Sequence, residues 1–186
     1  MKNLIALLAL TLSVLTPAHA ASVAGVDLDA KITVQGEALD YYGAGIRSKY
    51  FMKLYVGSLY AQQAGLDAEG ILNSDELTAV RLNILSGMIT SERMIDTIEE
   101  GFETSTNGNV APLRDRLDKF MAVFDSPVEV GDQFTMVSIP GVGLEAYKNG
   151  QLLTLVEGDD FRQALFAIWL GNKPADKKLK TAMLGE

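Results

Sequence analysis

Two rhythms of apolar residues run along this chain, one of period two and one of period three to four. The period-two signal is strongest over residues 41–60, YYGAGIRSKYFMKLYVGSLY, where aromatic and β-branched residues that favour strands are interrupted by glycines. Alternation sets Gly43, Gly45 and Arg47 on one face and Tyr42, Ala44 and Ile46 on the other. An arginine beyond two positions without side chains can reach across a sheet toward an anion. A surface arginine in a bulged strand is the plainer reading of the same residues. On one straight strand Arg47 and Tyr55 would stand roughly 26 Å apart. A site shared by the two therefore requires a turn, which Ser48-Lys49 can supply.

The same two rhythms divide the rest of the chain. Residues 21–28 read as a first strand and residues 31–34 as a second, with a turn at Gln35-Gly36-Glu37. Residues 66–73 read as a short helix and residues 76–85, ELTAVRLNIL, as a strand. The period then changes. Thr90 or Ser91 can cap a helix on which Met94, Ile95, Ile98 and Phe102 make one stripe, ended by residues 105–109. Pro112 stands in the first turn of another helix, striped by Leu113, Leu117, Phe120, Met121 and Phe124. Residues 133–139 form a strand stopped by Pro140-Gly141, and Asn149-Gly150 joins residues 143–147 and 151–156 as a hairpin. Asp159 or Asp160 can cap a third helix that turns Phe161, Leu165, Ile168 and Trp169 inward and ends at Gly171. Pro174 opens a last short helix with Leu179 and Met183 on its inner side. Strands, two helices, strands, then helices predict an α+β domain whose antiparallel sheet is covered on one face.

Composition narrows the chemistry. Met1-Lys2-Asn3, an apolar run over residues 4–15 and the small-x-small site at Ala18-His19-Ala20 have the form of a secretory leader. The expectation is removal of residues 1–20 after Ala20, a single domain over residues 21–186, and a periplasmic location. The apolar run is too short to span a bilayer, and no later stretch approaches that length, so no integral membrane segment is expected after cleavage. The chain has no cysteine, and its one histidine, His19, leaves with the leader. A Ser-His-Asp triad, a cysteine nucleophile, histidine-ligated zinc and haem held by His or Cys are thereby excluded from the mature chain. No cofactor or metal is expected. The formal charge of -8 becomes one unit more negative without Lys2, and no basic cluster runs along the sequence. Nucleic acid and anionic lipid are therefore not expected as partners.

With the elements in place, a resemblance emerges. GAGIRSKYFMKLYVGSLY (residues 43–60), the strand ELTAVRLNIL, the helix pair after it and FRQALFAIWLGNKPADKKLKTAMLG (residues 161–185) resemble the chalcone isomerase-like proteins of bacteria. The resemblance spans essentially the whole mature chain, and its markers are the GAGIR strand and the IWLG-x-x-P ending. It implies an open-faced β-sandwich, a large antiparallel sheet covered on one face by helices with a ligand cleft between them. The superfamily holds plant enzymes that close a chalcone to a flavanone, and non-catalytic members that bind fatty acids. Arg47 matches the cleft arginine of both groups, which stabilises a phenolate in the first and holds a carboxylate in the second. Tyr55 matches the tyrosine that shares that carboxylate, at a place where the isomerases carry threonine. Two further polar residues of the isomerases, a Tyr and an Asn on the helix after the next strand, align with Arg93 and Glu100. Tyr42 is a further candidate for the cleft.

No catalytic residue is nominated on this reading, because the chain keeps the arginine and departs from the polar set used in cyclisation. The leading expectation is a non-catalytic binder of a small amphipathic carboxylate such as a fatty acid. One alternative is an isomerase or intramolecular lyase of the chalcone isomerase type. The other is a protein with a closed core that acts through a protein partner of unknown identity, with Tyr50, Phe51 and Tyr55 packed inward.

Overall fold

The computed structural model describes residues 19–186; the leader expected over residues 1–20 lies outside the described residues, apart from the backbone of His19 and Ala20. One seven-stranded sheet organises the domain. Its strands are β3 (Lys31–Val34), β4 (Glu37–Lys49), β5 (Met52–Ala61), β6 (Thr78–Ile84), β7 (Gln133–Ile139), β8 (Gly143–Lys148) and β9 (Gln151–Glu157). They lie side by side in chain order, every neighbour antiparallel. A separate hairpin of β1 (His19–Val23) and β2 (Val26–Asp29) precedes them. Among the described residues five α-helices complete the fold, α1 (Ala68–Leu72), α2 (Ser91–Ser105), α3 (Arg114–Met121), α4 (Asp159–Leu170) and α5 (Lys177–Met183), with single 3-10 turns at Ala111–Leu113 and Ala122–Phe124 on either side of α3.

Alternation along each strand decides which face is dry. Leu59, Val80, Leu82, Phe134, Met136 and Leu144 share a core with Phe102 of α2, Phe120 of α3, and Phe161 and Leu165 of α4. Phe102 and Phe161 are fully buried with ring centroids 5.1 Å apart. Burial of one such side chain is worth roughly 1.5–3 kcal/mol, which ties the helices to the sheet. The intervening residues build a smaller cluster on the opposite face, from Ile32, Val34, Tyr60, Val137 and Ile139. There the Gln35 amide donates to Glu145 Oε1 at 2.9 Å and joins the β3–β4 turn to β8. The sheet is thus curled, with the helices on its other face.

Glycines set how closely the last helix approaches. A Cβ on Gly45 would lie 2.7 Å from the Ala182 Cβ, and one on Gly57 3.2 Å from a Leu179 methyl. On Gly43 it would meet the carbonyl oxygens of Ala182 and Met183 at 2.4 and 2.7 Å. These positions admit the backbone of α5 against β4 and β5. Their effect is to seat a helix on the strand, not to open a path for Arg47.

Four local expectations shift. Residues 21–28 are two strands, because Ala24-Gly25 turns the chain between Val23 and Val26. The β4–β5 turn falls on Tyr50-Phe51, two residues beyond Ser48-Lys49. Gly158 occupies the cap position of α4, while Asp159 and Asp160 lie in its first turn. There Arg162 holds the Asp159 carboxyl, and Arg116 the Asp160 carboxyl, below the usual carboxylate range. Pro174 lies ahead of α5, which is capped by Asp176 through bonds accepted from the backbone N–H groups of Lys178 and Leu179 at 2.9 and 3.1 Å.

Candidate functional site

Arg47 and Tyr55 are brought together by the β4–β5 hairpin. Lys49 pairs with Met52 around the turn, and Arg47 pairs with Tyr55 across the two strands, on the face that meets the helices. The separation along a straight strand therefore collapses to that of neighbouring strands, about 5 Å. A bulge between Arg47 and Ser48 shifts the register before the last two pairs, Ser48 with Lys53 and Lys49 with Met52. Beyond it the turn residues Tyr50 and Phe51 both have positive φ, 49° and 67°. Their side chains are 80% and 106% exposed, against the inward packing expected of a closed core.

Arg47 stands at one wall of an open cleft of about 470 Å³. The second wall is α2, which contributes Thr97, Glu100, Gly101 and Thr104. Ile168 of α4, the α4–α5 connection through Pro174 and Ala175, and Lys177 of α5 complete the lining. The connection is fixed at both ends. The Ala175 N–H donates to the Ile168 carbonyl at 2.8 Å, and Lys180 Nζ donates to the Gly171 carbonyl at 2.9 Å. Arg47 itself donates to the Ala175 carbonyl, which pins the guanidinium at the cleft wall. A guanidinium carries five N–H donors, so one such bond leaves a fork for an anion. Three cations, Arg47, Lys173 and Lys177, face one carboxylate, Glu100, around this space. Gly101, Ile168 and Pro174 are the apolar members of the same lining.

Tyr55 lies behind Arg47, 7% exposed and outside the cleft lining. Its hydroxyl accepts a 3.0 Å hydrogen bond from Trp169 Nε1, so α4 fixes the ring from the core side. Burial raises the phenol pKa, with Asp176 adding to the rise, while the Arg47 charge and the Trp169 N–H oppose it. The group stays protonated at neutral pH and has an O–H left to donate.

The other candidates separate. Glu100 lines the cleft. Arg93 sits near the start of α2 and donates to the Met88 carbonyl at 2.8 Å, outside the cleft lining. The Tyr42 hydroxyl donates to the Leu66 carbonyl, also outside it. Trp169, Lys173 and Lys177 had no place among the candidates. A buried tryptophan normally finds a partner for its N–H, and that requirement was the one available signal for Trp169. The lysines join Arg47 only through the fold. Among the described residues no helix is long and apolar enough to cross a membrane, and no cluster of His, Cys, Asp and Glu is arranged to hold a metal.

Comparisons with known proteins agree with this architecture. A family model described as chalcone isomerase-like matches residues 20–185. A solved fatty-acid binding protein of Arabidopsis thaliana superposes with a TM-score of 0.67 at 17% identity, covering 86% of this chain and 92% of that one. A search of curated proteins returned no match.

Proposed function

Since this chain belongs to the chalcone isomerase-like family, we propose that it is a non-catalytic binding protein whose cleft takes the carboxylate of a small amphipathic molecule such as a fatty acid. The observation that carries this reading is Arg47, backed by its strand partner Tyr55, at the wall of a cleft that also holds Lys173, Lys177 and the apolar Ile168 and Pro174. The volume falls within the usual range for small-ligand sites. The guanidinium fork would meet the carboxylate, a charge-assisted bond strong enough to orient a ligand. The buried Tyr55 hydroxyl, outside the cleft lining, would support the site from behind Arg47. Glu100 on the opposite wall disfavours a second anionic group and suits a ligand with a single acidic end. The hydrocarbon chain would lie along the apolar part of the lining, at Pro174 and the rim of Ile168. That the Arabidopsis neighbour is titled a fatty-acid binding protein supports this choice of ligand class.

The leader-like pattern of residues 1–20 supports a periplasmic setting, so the test begins with protein recovered from that compartment. Native mass spectrometry is expected to show a co-purifying carboxylic acid that is absent from Arg47→Ala. A protein that arrives empty and takes up no added fatty acid would overturn the reading.

A further inference from the structure

Four two-residue hairpin turns occur among the described residues, and all four use the same left-handed backbone. The φ angles are 52° and 83° at Ala24-Gly25, 53° and 83° at Gln35-Gly36, 49° and 67° at Tyr50-Phe51, and 51° and 82° at Asn149-Gly150. Such turns select Asn, Asp and Gly because both central residues need positive φ. Three of the four place glycine second. The fourth places a phenylalanine there behind a tyrosine, and a bulky residue with positive φ is an outlier. The side chains held in this way contribute nothing to the core, and Met52 after them is 41% exposed.

The charges at this end run against those of the whole chain, which has 24 acidic and 16 basic residues. Lys49 and Lys53 flank the turn, Arg47 stands two positions before Lys49, and Lys173 and Lys177 line the cleft with Arg47. Glu100 shares the cleft with Arg47 and the two lysines, and Asp176 is occupied in capping α5. Glu129 and Asp132, beside Ile84 at the same end of the sheet, are the further acidic groups, and Asp132 is paired with Lys148. Distant segments thus assemble a basic end that is not visible along the sequence.

We propose that the Tyr50-Phe51 tip docks the protein on an anionic phospholipid surface. Tyr50, Phe51 and Met52 enter the headgroup region, where amphipathic and aromatic side chains settle, and Lys49 and Lys53 stay at the lipid phosphates. A strained, exposed apolar tip needs an occupant that accepts a narrow wedge. Three side chains on a two-residue turn fall well short of the roughly 1,200 Å² that a stable protein interface covers. A bilayer needs no matching surface. Arg47 lies three residues back from the turn, roughly 10 Å, so docking would bring the mouth of the cleft to the lipid. The inference rests on the cleft reading only for what docking is used for.

The test is sedimentation of ligand-free protein with phosphatidylglycerol–phosphatidylcholine vesicles and with phosphatidylcholine vesicles alone. Wild type is expected to sediment with the anionic vesicles, and more weakly as salt is raised. Tyr50→Asn/Phe51→Gly, which installs the turn residues of the Asn149-Gly150 hairpin, should reduce that binding at least tenfold. Lys49→Glu/Lys53→Glu should remove the preference for anionic lipid. Neither variant should alter fatty-acid binding in solution. Vesicle binding by a protein that takes no fatty acid would leave docking standing and remove the cleft reading. Wild type that ignores anionic vesicles, or a turn variant that binds them equally well, would overturn the proposal. The same holds if the tip cross-links to a periplasmic protein and never to lipid.

Discussion

The inner and outer halves of the β4–β5 hairpin follow one alternation and meet opposite surroundings. In the inner half the helix-facing positions are Gly43, Gly45 and Gly57, and α5 closes on them until Leu179, Ala182 and Met183 touch the strands. In the outer half the same face carries Arg47 and Tyr55, and beyond them the turn exposes Tyr50 and Phe51. Small residues appear where a backbone must come close. Large ones appear where the helix layer stops. The hairpin is therefore a clamp at one end and a free surface at the other, with the candidate cleft at the boundary.

The strongest way to break this contrast is to crowd the clamp. A Cβ at Gly43 would press on two α5 carbonyl oxygens and on the Gly185 amide at 2.8 Å, all of them backbone, so no side-chain rotation can relieve it. Gly43→Ala is expected to destabilise the fold by about 3 kcal/mol, the upper part of the overpacking range. That lowers Tm by roughly 6–12 °C in a domain of this size. An unchanged melting curve would mean that α5 is not seated on the glycines. At the boundary, Arg47→Ala should weaken fatty-acid binding by about 1.5–3 kcal/mol, the scale of a hydrogen bond to a charged group. Its Tm should stay close to that of wild type, because the side chain is partly buried at the wall of a cleft and outside the hydrophobic core. Isothermal titration that returns the wild-type affinity would remove Arg47 from the site.

What was legible in the sequence divides along the same line. The succession of strands and helices could be read because each element carries its own period. The pairing of Arg47 with Tyr55 followed once a hairpin was required. Its turn was set two residues early because Tyr50-Phe51 contains none of the usual turn residues, while Ser48 offers one. The purpose of the glycines was illegible, since their partner α5 comes from the far end of the chain. The basic end was hidden for the same reason, its charges being divided between the hairpin and the segment around α5. Arg93 and Glu100 show the limit of helical spacing. They stand two turns apart on α2, yet Arg93 is occupied by the Met88 carbonyl near the first turn and only Glu100 reaches the cleft.

Tyr55→Phe probes the boundary from the core side. It removes the oxygen that accepts from Trp169 Nε1 and leaves that buried N–H without a partner. The expected cost is about 1–2 kcal/mol of stability, the lower part of the range for an unsatisfied buried donor. The loss in ligand affinity should be smaller than for Arg47→Ala, because the hydroxyl carries no charge. Fatty-acid affinity that falls as far as in Arg47→Ala would make Tyr55 the principal anchor instead.

The smallest expected effect is also the one of opposite sign. Tyr50 and Phe51 hold left-handed conformations that cost roughly 1–2 kcal/mol per residue for side chains with a Cβ. Tyr50→Asn/Phe51→Gly relieves most of that strain, since Asn tolerates the conformation and Gly has no Cβ to clash. Glycine also frees the unfolded chain and returns part of the gain. The net is a stabilisation of about 1 kcal/mol, seen as a rise in Tm of roughly 2–4 °C. A turn selected for the fold alone would already carry these residues, as the Asn149-Gly150 hairpin does. A variant that melts higher while losing its hold on anionic vesicles would show that the aromatic tip is kept for its surroundings and at the expense of stability. A variant that melts lower would mean that Tyr50 and Phe51 support the hairpin after all, and the contrast between its two halves would fail.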